Sequence, residues 1–543
     1  MRLPLFALGA LLASCGGAKE PPFAGLALEI TPDPGRGDVG VLVRLSADRA
    51  GLVTELAVAR SWADTRGEDA VVDVALRDGT GDLPFTPRLG GDGPDRVLVL
   101  SRAVVGSLSI RYRARAGASR FAVRVGRDRM SAVGHAFLLL PRIEGAIPAR
   151  VRFDVASLGN GAEAASSFGF GASVTTTATM EELGHAIYVA GRLWLERPET
   201  AAPARERDKS LVVLGDPPFD GRTAWTFSIG AMAATDRLFG RDPVAPAEPF
   251  TFLLVPEPGL GRAHDGAYLT RSLGLWFDSM RGLDPELRLT VAHELTHRYL
   301  GGVVRLVEDD GRDAVWFSEG FTVHFARKAL LDAHLARPAE LTADVRRTLG
   351  EPAPGEEKVP YEYRRGAQLA ALLDLALRRE SGGKRALEAA MIDLMKRARS
   401  EGKNRLPVEA LREALGPVVA ADFDRLSRLR DDPLEMPDGA FGPCFERRST
   451  TSHGFHLGFD PDSLARTPGW IHGLVKGSAA ERAGLGEGAM VLSAKVPSPE
   501  DALGRRAEVE LVISVGGKQK KVRYRPVGKR TVVRWEAGSC PGR

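Results

Sequence analysis

The chain has 543 residues, too many for one hydrophobic core, so about three domains are expected. Its 44% hydrophobic and 27% charged residues are ordinary for a soluble globular protein. A formal charge of +4 is small for this length and gives no basis for a nucleic-acid partner.

Met1-Arg2 makes a positive start, and Leu3 to Ala13 is an apolar run broken only by Pro4 and Gly9. The run is too short to span a bilayer and reads as a signal-peptide core. With Leu12-Ala13-Ser14-Cys15 it resembles a bacterial lipoprotein signal. That resemblance implies a signal over residues 1–15, a lipid on Cys15 and a tether over 16–24. It also implies a bacterial cell-envelope location, anchored to a membrane by the lipid on the periplasmic or outer-membrane side. A plain secretory signal with an incidental cysteine is the alternative. Of the remaining cysteines, Cys444 and Cys540 can pair in an oxidising compartment; as zinc ligands they lack C-x-x-C spacing.

From Gly25 to Ile187 the pattern is of strands. Gly40 to Leu45, Ala70 to Leu76 and Ser107 to Tyr112 alternate, and Gly/Asp/Pro clusters punctuate them. One all-β, sandwich-like domain is expected over 25–187. From 188 the pattern mixes, with strand-like Leu211–Leu214 and Thr251–Val255 and a helix-like Thr223–Phe239. After 284 it is almost wholly helical to about Arg430, with Gly382-Gly383 separating periodic Tyr363–Arg379 and Lys384–Arg399. From Pro443 short strands and glycine turns return.

Asp284-Pro285-Glu286 is a helix start and Gly301-Gly302 a helix stop. Between them lies His293-Glu294-Leu295-Thr296-His297. Positions four apart share a helix face, so both imidazoles can converge on one zinc ion. Glu294 sits where its carboxylate reaches a metal-activated water without ligating, the general-base position. Downstream, Trp316-Phe317-Ser318-Glu319-Gly320 lies on a second expected helix, Val315 to Lys328. Glu319 can complete a His₂Glu set and leave the fourth position open.

His293-Glu294-x-x-His297 with Trp316-x-x-Glu319-Gly320 resembles the gluzincin peptidases, and within them the glycyl aminopeptidase family, with the aminopeptidase N family as a cousin. Tyr363-Arg364-Arg365-Gly366 is similar to a stretch whose tyrosine stabilises the oxyanion in these families. Leu369 to Arg379 and Ser167-Phe168-Gly169-Phe170-Gly171 resemble the glycyl aminopeptidases as well. The resemblance implies an N-terminal β domain, a thermolysin-like α+β/helical catalytic domain over 188–435 and a C-terminal PDZ-like β module over 443–543. It implies one zinc per chain on His293, His297 and Glu319, with Glu294 as base and Tyr363 as oxyanion donor. The substrate is then a peptide or protein.

Two departures stand out. Twenty-one residues separate His297 from Glu319, more than in aminopeptidase N types, and the excess falls in polar Glu308 to Asp313. Where the families place a glutamate for the substrate's amino group, in Gly261-Arg262-Ala263-His264-Asp265, this chain has Ala263. Ala263, His264 and Asp265 form the expected substrate-binding segment, with Asp265 or Glu257 as substitute carboxylates and Arg262 opposing an ammonium. The edge strand aligning the substrate backbone is expected at 251–255 or 263–269.

Trp470 to Gly486 resembles the PDZ segment of bacterial proteases, and His456-Leu457-Gly458-Phe459 its carboxylate-binding loop. A C-terminal peptide ligand is implied; a module that only braces is the alternative. Two rival functions stand beside the peptidase. One is an envelope lipoprotein scaffold with a vestigial zinc site, the other a hydrolase of a non-peptide bond.

Overall fold

The computed structural model describes residues 23–88, 95–198, 204–240, 249–351, 359–428, 434–466, 468–498 and 507–540. The expected signal, Cys15 and most of the tether lie outside these residues. The described chain up to Ala336 clusters with Glu388–Ala414 into one compact unit, and Arg337–Leu387 with Leu415 onward into a second. The expected catalytic span of 188–435 is therefore divided between the two. Among the described residues no helix is long and apolar enough to cross a membrane.

The first unit opens with three sheets, of seven, five and four strands. Period-two burial builds the largest. Leu26, Leu28 and Ile30 face the core with Val39, Val41 and Val43 and with Leu108, Ile110 and Tyr112. Their strands Leu26–Asp33, Asp38–Leu45 and Leu108–Arg115 lie side by side. The alternation expected from Ala70 breaks. The strand begins at Val71 and its register shifts between Val72 and Ala75, with Asp73 at φ 55. The strand Ile187–Gly191 belongs to the five-stranded sheet, so the β region runs past 187.

A mixed five-stranded sheet follows, in the order Leu193–Glu196, Lys209–Leu214, Phe250–Glu257, Ser272–Asp278, His264–Leu269. Its three inner strands run parallel. Phe250–Glu257 and Ser272–Asp278 are buried along their whole length, as strands covered on both faces must be. Thr251–Val255 is thus an inner strand, and His264–Leu269 is the edge strand. On one face Val212, Leu214, Leu253, Val255 and Trp276 pack with Phe121, Val133, Ile187 and Val189 of the β region. The helix Pro285–His297 contacts the edge strand, the helix Gly221–Leu238 and the helix Thr322–Asp332.

The second unit holds the helices Pro338–Thr348, Tyr361–Glu380 and Pro417–Arg428. The strands Phe445–Phe455 and Val527–Ala537 then pair antiparallel over their full length. A disulfide joins Cys444 to Cys540 at the end of this ladder. Between the two strands a four-stranded sheet encloses its own core, including Leu457, Ile471, Val491, Leu511 and Val522.

Candidate metal centre

The motif helix starts where the sequence places it. Asp284 Oδ1 accepts from Glu286 N and Leu287 N at 3.0 Å, and Pro285 occupies the first position. Arg281 clamps the start, 2.6 Å from both Asp284 Oδ2 and Glu286 Oε2. The helix ends at His297, and the chain turns through Arg298–Leu300 before the expected glycines. That turn matters, because Leu300 O lies 3.0 Å from His297 Nδ1. A proton held on Nδ1 by this carbonyl leaves the Nε2 lone pair free for a metal.

Glu319 comes from a different kind of turn. The expected helix from Val315 begins instead as a six-residue π-helical stretch, Trp316–Phe321, and continues as α-helix Thr322–Asp332. Such widened turns recur at functional sites because they re-aim one side chain. Phe317, Phe321 and Phe325 are fully buried beneath it. Trp316 Nε1 donates to Glu308 Oε1 at 2.7 Å. The extra polar loop therefore folds back as a turn that holds the start of the ligand helix; Glu308 N bonds Arg312 O and Gly311 N bonds Glu308 O.

These elements bring three donors together. His293 Nε2 and His297 Nε2 lie 3.1 Å apart, and each is 3.3 Å from Glu319 Oε2. Two donors each about 2.05 Å from one zinc at a tetrahedral angle would stand ~3.3 Å apart, so the residues fit that ion. This is the one three-residue metal-competent cluster among the described residues. The carboxylate and the imidazoles attract one another. Burial pushes Glu319 up, but attraction to His297 and hydrogen bonds from both histidines hold it well below the carboxylate range. Burial pushes His297 down, yet Glu319 wins and raises it to about 9.

Glu294 is treated in the opposite way. It is 7% exposed, and burial raises its pKa despite attraction to His297 and His293. The edge strand presses on it: a Cβ built at Gly266 would lie 2.6 Å from Glu294 Cγ, and Tyr268 N–H donates to the carboxylate. Neighbouring carboxylates with environments pushing them apart are the usual mark of separate acid–base roles.

The expected substrate segment is less open than its sequence implies. His264 Nε2 lies 2.9 Å from Thr290 Oγ1 on the motif helix. Gly266 faces Glu294, so Asp265 faces the other way by strand alternation, and it is ion-paired with Arg120 of the β region. Ala263 N bonds Leu260 O in the turn before the strand. Arg262 stands 3.6 Å from Glu286, which offsets its charge. Glu257 is 8% exposed and lies 3.5 Å from Arg124. Tyr363 belongs to the second unit, half-buried on the first turn of Tyr361–Glu380. In the C-terminal module Gly458, at φ 85, passes so close to Ser478 that a Cβ would meet Oγ at 2.8 Å.

Sequence reasoning missed Leu300, Gly266 and Tyr268, which act through backbone, and Glu308 and Arg120, whose partners are distant in sequence or unmarked by motif.

Sheet, paired helices and β region together define an aminopeptidase-like fold. A solved structure of an aminopeptidase N family protein from Idiomarina loihiensis is similar to this chain, with a TM-score of 0.64. The two are 13% identical, over 95% of this chain and 96% of that one, a likeness that speaks for the fold. No family model matches the sequence, and no curated protein does.

Proposed function

We propose that the protein is a zinc-dependent peptidase of the gluzincin type. The observation carrying this reading is one helix presenting two imidazoles and a buried carboxylate, with Glu319 at ligand distance from both histidines. Zinc held by His293 Nε2, His297 Nε2 and a Glu319 oxygen would supply Lewis acidity for a scissile carbonyl and a water. Glu294 takes the proton of the attacking water on its carboxylate and passes it to the leaving amine. Burial raises its pKa, which favours taking up a proton. The outer edge of His264–Leu269 pairs with the substrate backbone, as strand edges pair with extended peptides. Tyr363 donates to the developing oxyanion, a role carried over from the gluzincin resemblance.

Aminopeptidase specificity does not follow. Ala263 offers no carboxylate, and Asp265 is neutralised by Arg120 on the opposite face. Blocked and internal bonds are therefore substrates in this reading. The lipid anchor at Cys15, the envelope location and a peptide ligand at the PDZ-like module complete it. The rival scaffold with a vestigial site needs neither the buried Glu294 nor its contacts with the edge strand.

The test is digestion of a peptide library with and without a zinc chelator, repeated on Glu294→Gln. We expect chelator-sensitive cleavage and, in the variant, retained zinc with turnover lower by about a thousandfold. Absence of cleavage by zinc-loaded protein would defeat the reading.

A further inference from the structure

The edge strand beside Glu294 has a sheet partner on one side only, so something else must hold it in place. It forms a hairpin with Ser272–Asp278 through Thr270 and Arg271. At the second position of this turn Arg271 adopts φ 48, in the left-handed region. That region favours glycine; an arginine is kept there when its surroundings over-determine it.

The surroundings do so. Arg271 Nη1 donates to Thr176 Oγ1 at 3.1 Å, and Nη2 to Thr177 O at 3.1 Å and Glu182 Oε1 at 3.4 Å. Glu182 is itself fixed, because its other oxygen accepts from Thr179 N at 2.8 Å. Thr270 N donates to His185 O at 2.8 Å, and Ser272 Oγ lies 2.7 Å from Ser167 Oγ. At the far end Arg120 pairs with Asp265, and Phe121 meets Trp276 edge-on at 4.9 Å. Every anchor on this side belongs to the β region. The Ser167-Phe168 stretch thereby acquires a task.

We propose that the β region is a brace for the edge strand, with Arg271 a positioning residue that acts on Glu294 through the backbone of Gly266 and Tyr268. The path is short and made of contacts already described. Guanidinium bonds fix the hairpin tip, the ion pair fixes its base, and the strand between them presses on the Glu294 carboxylate. Loss of the tip anchor lets the strand lift, and the carboxylate loses its orientation while the two histidines keep theirs. For its kinetic arm the inference rests on the peptidase reading.

The experiment compares the full zinc-loaded chain with Arg271→Gly and Arg271→Lys. Glycine relieves the positive φ and removes the guanidinium; lysine keeps a charge toward Glu182. Hydrogen exchange is followed at residues 264–269 and across Pro285–His297. In Arg271→Gly we expect exchange about tenfold faster in the edge strand, with none in the motif helix. Bound zinc stays at the wild-type stoichiometry. On a peptide substrate kcat falls by about tenfold or more while KM moves less than about threefold, and lysine restores part of the loss. Edge-strand exchange within twofold of wild type overturns the brace, as does a uniform acceleration across the first unit, which would mark mere loss of stability. If the wild type cleaves no peptide, the peptidase reading fails while the exchange data still decide the brace.

Discussion

The helix Thr322–Asp332 and the edge strand His264–Leu269 both pack on the motif helix, and they differ in which kind of contact predominates. The ligand helix is locked by apolar contact. Phe321 and Phe325 are fully buried, and Phe239 meets Phe325 edge-on at 5.1 Å and stacks on Tyr299 at 4.6 Å. Polar bonds and one ion pair to the β region hold the edge strand. Apolar packing is close to indifferent to pH and salt, whereas directional polar contacts answer to both. The centre therefore joins a side packed mainly by apolar contact to a side anchored by polar bonds.

The largest effect that can break this contrast lies on the ligand side. Glu319→Ala should lower zinc affinity by about a thousandfold or more in chelator competition, since two imidazoles alone make a poor site. Retention within tenfold would remove Glu319 from the metal set. Next, Phe321→Ala should cost about 3–5 kcal/mol in the unfolding of metal-free protein, the usual cost of truncating a buried phenylalanine. A loss under 1 kcal/mol would mean that the apolar lock is not what holds the π turn.

The polar side is sharpened by pH. Burial, then repulsion from His135, pushes His185 down to about 4. Its carbonyl holds Thr270 at the hairpin tip. Because the folded value lies below the unfolded 6.5, the unfolded chain takes up the proton first as pH falls. The His185 contribution to stability should be flat above pH 6.5 and decline between 6.5 and 4 by on the order of 2 kcal/mol. His185→Gln should flatten that decline in denaturant titrations across the range; an unchanged slope would reject it. The smallest effect concerns the substrate. Matched peptides with free and acetylated N-termini should differ in kcat/KM by less than about tenfold, since each opposite-charge contact worth keeping would give at least that. A hundredfold preference for the free amine would show that an anchoring carboxylate exists.

What was legible in the sequence divides along the same line. The helix start at Asp284, the two histidines and Glu319 announce themselves because their side chains carry the chemistry, and side chains are what a sequence spells. The edge strand was one of two candidates, since Thr251–Val255 is equally apolar and only the sheet order decides which strand is inner. Asp265 looked available because a sequence does not display Arg120, which lies far upstream. Ser167 and Phe168 could be recognised by resemblance, yet their work, bonding Ser272 and lying beneath Arg271, exists only in the folded chain. The π turn is hidden in the sequence because the buried Phe317, Phe321 and Phe325 recur every four residues, a spacing that an unbroken α-helix shows as well.

The Cys444–Cys540 bond joins residues 96 positions apart and closes a loop around the four-stranded sheet, at the foot of the ladder formed by Phe445–Phe455 and Val527–Ala537. In mechanical terms the C-terminal module is a bypassed element. A pull applied beyond Cys540 passes through the sulfur bridge to residue 444, and the sheet inside the ring bears none of it. A protease that nicks the ring frees nothing, because both fragments stay joined until a reductant arrives.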